Sequence, residues 1–162
     1  MLLEILIRTP SWVYGLFLVL VAVGVLQSRT SKVGTARAAI LPIAMLVLSA
    51  YGAVSVFGTQ PAVAAAWGAG LAIALIIAHG VNGGPSGLVR DPSSGAVVVP
   101  GSWTPLALMM AIFFTKFGVG VALAMSPLVK SQPTFWVPVC IAYGVFGGMF
   151  LSRGMKILRA PA

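Results

Sequence analysis

Five stretches of this chain, at about residues 11–27, 36–57, 61–78, 104–125 and 134–151, are almost wholly apolar, and the only charged side chains inside them are Arg37 and Lys116. At about 1.5 Å of rise per residue, helices of these lengths match a hydrocarbon core about 30 Å thick. A water-soluble fold has no place to hide so much apolar surface. Of the 162 residues 59% are hydrophobic and only 7% charged, with mean hydropathy +1.06, against about 25% charged residues in an ordinary soluble domain. Inside lipid, backbone N–H and C=O groups must be paired within the segment or within a closed barrel. The alternation that barrel strands require is absent, so each stretch is expected to be an α-helix. The expected fold is an all-α integral membrane domain over residues 1–162, with five transmembrane helices and no separate soluble domain.

Local signals set the boundaries. Leu2, Leu3, Ile5, Leu6 and Ile7 surround Glu4 and Arg8, an i,i+4 pair, which suits a short helix lying on the membrane surface. Thr9 and Pro10 then read as the N-cap and first position of the next helix. The acid in this n-region, and a basic cluster after the apolar run rather than before it, argue against a cleaved signal peptide. Pro42 interrupts the second stretch and Pro138 lies near the start of the fifth. Only Gly58, Thr59 and Gln60 separate the second stretch from Pro61, so the second and third helices should form an antiparallel pair.

Orientation follows from the basic residues between the stretches. Arg29, Lys32, Arg37, Arg90, Arg153, Lys156 and Arg159 fall on one side and only Arg8 and Lys130 on the other. The richer side is expected to face the cytoplasm, giving N-out and C-in. Trp12, Phe57, Trp67, Phe135 and Trp136 would then lie near the outer interface and Trp103 near the inner one. The formal charge of +8 reflects these topology and headgroup signals rather than a nucleic-acid partner. The longest connection contains Gly87-Leu88-Val89-Arg90, then the turn-forming Asp91-Pro92-Ser93-Ser94-Gly95, then Ala96-Val97-Val98-Val99, closed by Pro100-Gly101. It predicts a small cytoplasmic β-hairpin between the third and fourth helices, lying in headgroups or against helix ends because open sheet edges cannot sit in lipid.

Lys116 is the candidate of greatest interest. It falls near the bilayer middle, where an isolated charge costs about 2.5 to 3.5 kcal/mol, and an intramembrane lysine is a functional candidate by default. No carboxylate lies in any apolar stretch to pair with it. Its candidate partners are Ser49, Tyr51, Ser55, Tyr14, carbonyls freed by Pro42 or Pro138, Glu4, or an anionic ligand; the alternative is a side chain that snorkels to lipid phosphates. Lys116, Thr115, Tyr51 and Ser55 form the candidate ligand-binding set. Small residues at four-residue spacing, namely Ala66, Gly70 and Ala74, Gly118 with Ala122, Gly120 with Ala124, and Gly144 with Gly148, mark faces for close helix packing, within the chain or between copies.

Other chemistries find little to build on. Cys140 is the single cysteine, which excludes an internal disulfide. His79 is the single histidine; with Cys140 and Met45, Met109, Met110, Met125 and Met149 it could compose a soft-metal site, but Met-x-x-Met and Cys-x-x-Cys spacings are missing and methionines fill apolar cores routinely. Glu4 and Asp91 are the only acids, so no catalytic triad or metal-ligand cluster can be assembled, and Gly83-Gly84-Pro85-Ser86-Gly87 lacks the Gly-Lys-Ser ending of a phosphate loop. Neither enzyme activity nor a cofactor or metal is expected.

The run Gly95-Ala96-Val97-Val98-Val99-Pro100-Gly101-Ser102-Trp103-Thr104-Pro105-Leu106, the following Phe113-Phe114-Thr115-Lys116-Phe117-Gly118-Val119, and the opening Met1-Leu2-Leu3-Glu4 to Thr9-Pro10-Ser11-Trp12 resemble a family of short bacterial inner-membrane proteins known only as a domain of unknown function. In layout the chain is also similar to CcdC-like proteins associated with cytochrome c biogenesis, through the basic second span, the cytoplasmic hairpin and the charged fourth span. The resemblance implies a bacterial inner-membrane setting and carries no functional residue with it. The leading expectation is a small oligomeric transporter- or channel-like protein that binds an anionic or polar ligand at Lys116. The rival is a non-catalytic accessory or assembly subunit of a larger membrane complex. The expected partners are membrane lipids and either further copies of the chain or that complex.

Overall fold

The computed structural model describes residues 11–80, 87–91 and 96–159. The surface helix expected over Met1–Arg8, and the tip of the hairpin turn, lie outside these residues. Among the described residues there are five α-helices: α1 (Ser11–Gln27), α2 (Thr35–Phe57), α3 (Pro61–Gly80), α4 (Thr104–Met125) and α5 (Pro133–Leu158). A 3-10 turn, Pro127–Ser131, joins α4 to α5. Three of the helices, α3, α4 and α5, are long and apolar enough to cross a membrane, and α1 and α2 contain shorter apolar segments, Val13–Gln27 and Pro42–Phe57.

The helices begin and end where the chemistry requires. Pro61, Pro105 and Pro133 occupy first-turn positions, where a missing N–H costs nothing. Gly58 closes α2 at φ 87°, a left-handed backbone that a side chain would strain, and its N–H caps the Val54 carbonyl at 2.8 Å. Pro138 is absorbed within the first turns of α5 and Pro42 within α2. Helix α5 is longer than the apolar run that announces it: Arg153 and Lys156 end the greasy stretch but not the helix, which continues to Leu158.

Helix α5 is the hub. It packs along its length against α3 on one side and α2 on another, while α4 pairs with α1 and meets α5 more sparingly. The molecule therefore reads as a tight trio, α2–α3–α5, with an α1–α4 pair against it. Ala53, Phe57, Val63, Cys140 and Tyr143 are buried in the trio, and Phe57 meets Phe135 edge-on at 6.2 Å between ring centroids. Leu108, Met109 and Phe150 join the pair to the trio. Across the α1–α4 contact, Phe17 meets Phe113 at 5.3 Å.

The connection between α3 and α4 does form paired strands, but the sheet has three strands rather than two. Strand β1 (Ser31–Val33) comes from the α1–α2 connection, β2 is Val89–Arg90, and β3 is Val97–Val99; the order is β1-β3-β2, antiparallel throughout, with Ser31 opposite Val99 and Arg90 opposite Val97. β-Branched Val97 and Val99 turn one face onto Ile157 and Leu88. Lys32 Nζ and Asp91 Oδ2, 3.0 Å apart, tie the two edge strands together across the central one. An Arg90 guanidinium nitrogen donates to the Leu158 carbonyl at 3.1 Å, covering one of the C-terminal carbonyls that α5 cannot satisfy itself. The Ser102 N–H reaches the Gln27 carbonyl at 3.4 Å. The sheet thus gathers the C-terminal ends of α1 and α5 and the N-terminal end of α4 at one pole, and the Gly58–Gln60 and Pro127–Ser131 turns close the other.

Candidate functional site

A cavity of about 30 Å³ opens where α2, α4 and α5 meet, enough for one or two water-sized groups. Helix α2 contributes Met45, Leu48 and Ser49, α4 contributes Ile112 and Lys116, and α5 contributes Tyr143, Phe146, Gly147 and Phe150. Most of the wall is hydrocarbon and aromatic ring, and the Lys116 ammonium is the one cationic group on it.

Helical spacing delivers these groups. Ile112 and Lys116 are one turn apart on α4, as are Met45 and Ser49 on α2, and Tyr143, Gly147 and Phe150 follow one another along a single face of α5. Lys116 lies about 18 Å along α4 from Thr104, and Tyr143 about 15 Å along α5 from Pro133. The two meet at similar depth, with Lys116 Nζ 5.8 Å from the Tyr143 ring centroid. Gly52 makes the space: a β-carbon there would stand 3.3 Å from Lys116 Nζ and 3.6 Å from the Tyr143 ring. Such a cation–ring contact is worth about 0.5 to 2 kcal/mol, less than the about 2.5 to 3.5 kcal/mol that a mid-membrane charge costs. Lys116 has no ion pair or hydrogen bond among the described residues, so part of that cost stays open.

Ser49 holds the back wall. Its hydroxyl donates to the Tyr143 carbonyl and accepts from Trp67 Nε1 at 2.9 Å, linking α2, α5 and α3 through one oxygen. Gly147 gives this crossing its room, since a β-carbon there would lie 3.1 Å from Ser49 Oγ.

Of the candidate ligand-binding set, only Lys116 lines this cavity. The Thr115 hydroxyl donates to its own helix at the Ala111 carbonyl, 2.7 Å away, and Ser55 turns back to the Gly52 carbonyl at 3.3 Å. Tyr51 points outward and is 68% exposed. Ser49, named among the candidate partners of Lys116, does line the cavity. Trp67, read from the sequence as an interfacial aromatic, directs its indole N–H to Ser49. Gly52 and Gly147 carry no sequence signal of their own, because a glycine that opens a cavity looks like one that only packs.

The small residues separate into two groups. Gly70, Ala74, Gly144 and Gly148 are buried between α3 and α5, and Ala66 borders the same contact. A β-carbon on Gly70 would collide with the Ile141 carbonyl, and one on Gly144 with the Trp67 carbonyl. Gly118 and Gly120 on α4 are exposed, with nothing within 4 Å of an added β-carbon. Cys140 is buried in the trio, while His79 is exposed at the end of α3.

Apolar helices of membrane-crossing length, knitted at one pole by a basic-rimmed sheet and holding a lysine against a tyrosine ring in a greasy cavity, define the class as a helical membrane-type protein. The model of the Family of unknown function (DUF6622) matches residues 1–162, and the chain belongs to that family. No curated protein and no solved structure matches it, CcdC-like proteins included.

Proposed function

We propose that the protein is a multi-pass protein of the bacterial inner membrane, crossing five times with its N-terminus outside and its C-terminus in the cytoplasm, and that it binds an anionic or polar ligand at Lys116 as a small oligomeric transporter- or channel-like unit. The observation that carries the ligand reading is the Lys116 ammonium, about mid-way along an apolar helix, facing a cavity where, among the described residues, only the Tyr143 ring balances it. Five crossings are supported by the alternation of helix ends between two poles. Arg29, Lys32, Arg90, Arg153, Lys156 and Arg159 all belong to connections or helix ends at the sheet pole, and Lys130 belongs to the other, which supports a cytoplasmic sheet. A path for solute through so few helices is thin-walled, and this is the reason for making oligomerisation part of the proposal.

The test is Lys116→Met in reconstituted vesicles. Ligand binding or flux should be lost while insertion and helix content are kept; unchanged flux of every anion tried would remove the reading. A second reading, a non-catalytic accessory subunit, is favoured by the open space beside the small α4 residues Gly118 and Gly120, which lie on different faces of that helix. It predicts that native-level purification in mild detergent recovers a different protein in fixed ratio, whereas the first reading predicts copies of this chain alone.

A further inference from the structure

We infer that the ligand of the Lys116 cavity is a long-chain monoanionic lipid drawn sideways from the bilayer through the gap between α2 and α4, an inference that rests on the reading of Lys116 as a ligand site.

The gap is a property of the packing. Helix α2 leans on α5, and α4 leans on α1, so α2 and α4 scarcely touch. Where α4 does meet α5, the contact is closed by Leu108, Met109 and Phe150, and Met109 lies about 10 Å nearer the sheet than Lys116 by helical rise. Beyond that seal, among the described residues, α2 meets the Pro127–Ser131 turn at the far pole, and the slot lies between. Lys116 is exposed although it sits mid-helix. One turn further out on the same face is Gly120, which offers no side chain and has nothing within 4 Å of where a β-carbon would be. Leu48, which lines the cavity from α2, is itself 55% exposed.

The chemistry of the occupant follows from the walls. A cavity of about 30 Å³ has room for the atoms of a small headgroup, not for a hydrated solute, so the remainder of the ligand must lie along the slot. There it meets Leu48, Ile112 and Phe146 and the surrounding lipid, which select an acyl chain. The headgroup meets one ammonium. Asp91, the one acid among the described residues, sits in the sheet beside Lys32, so a single negative charge balances Lys116, whereas a dianion would leave an uncompensated charge in hydrocarbon. A membrane lipid bearing a carboxylate or a phosphodiester satisfies both conditions.

The experiment uses the full chain in nanodiscs of phosphatidylcholine, titrated with spin-labelled oleate and, separately, with spin-labelled phosphatidylglycerol. At least one should bind saturably. Lys116→Met should weaken that binding at least about tenfold, Lys116→Arg should retain it, and Gly120→Leu, which refills the slot without touching the charge, should weaken it with helix content unchanged. The uncharged alcohol of the same chain, and acetate or inorganic phosphate, should fail to compete. If acetate or phosphate binds in a Lys116-dependent way and neither lipid does, the lipid inference falls while the anion site stands. If no anion binds in a Lys116-dependent way, both fall.

Discussion

Replacing Gly144 by alanine should push α3 and α5 apart. The Leu71 amide nitrogen lies 2.8 Å from where the new β-carbon would sit and the Trp67 carbonyl is nearer still, whereas ordinary contact begins at 3.4 Å. Both obstacles are backbone, which cannot rotate away as a side chain can, so the two helix axes must separate by more than the about 0.6 Å that the Leu71 nitrogen alone requires. A gap of 0.5 to 1 Å forfeits about a quarter to a half of each dispersion well along the contact. Gly70 and Gly148, whose own β-carbons would strike the Ile141 carbonyl and Ala74, share the same seam and would lose contact together. Overpacking of this kind costs about 1 to 3 kcal/mol. Alanine also gains helix propensity over glycine, about 1 kcal/mol, and Gly118→Ala isolates that gain because nothing lies within 4 Å of its added carbon. The difference between the two variants, read by detergent-denaturant titration with the fluorescence of Trp67 and Trp136 as reporter, should be about 1 to 3 kcal/mol against Gly144→Ala. Equal midpoints would refute the close α3–α5 crossing.

Other perturbations follow from the polar links. Ser49→Ala removes the acceptor of the Trp67 indole N–H and should cost about 1 to 3 kcal/mol, measured in the same titration; a cost within error would mean that water replaces the hydroxyl. Ile157→Ala removes the α5 residue that Val97 and Val99 cover. It should loosen the sheet at the lower end of the usual range, about 2 kcal/mol, seen as faster proteolysis in the 87–102 connection with the helices intact. Lys32→Gln should change stability by less than about 1 kcal/mol, because Lys32 is 68% exposed and such pairs contribute little; a larger loss would give that pair a role in holding β1.

The sequence declares the helices because lipid demands long apolar runs, and α1 spans the residues read for it. It also declares β2 and β3, through the turn residues after Arg90 and the valines that follow. It does not declare β1. Ser31-Lys32-Val33 has neither length nor alternation, and becomes a strand only by pairing with Val97–Val99, far along the chain. Nor does it mark the full length of α5, because the charges of Arg153 and Lys156 end hydrophobicity, not helix geometry. The largest gap concerns helix faces. In an apolar environment the packed and the lipid-facing sides are both greasy, so the periodicity that orients a soluble helix carries little information. Tyr51 and Ser49, two residues apart on α2, both read as partners of Lys116 but only Tyr51 enters the ligand-binding set, and packing against α5 is what turns Ser49 inward.

On the proposed topology the sheet pole and the Pro127–Ser131 turn lie on opposite sides of a membrane. Single cysteines at Val89, in β2, and Ser131, in the turn, in a Cys140→Ser background, test it with a membrane-impermeant maleimide. Ser131→Cys should react in intact spheroplasts, and Val89→Cys only after lysis. Labelling of both from outside would contradict the crossing pattern, and the reverse pattern would contradict the orientation.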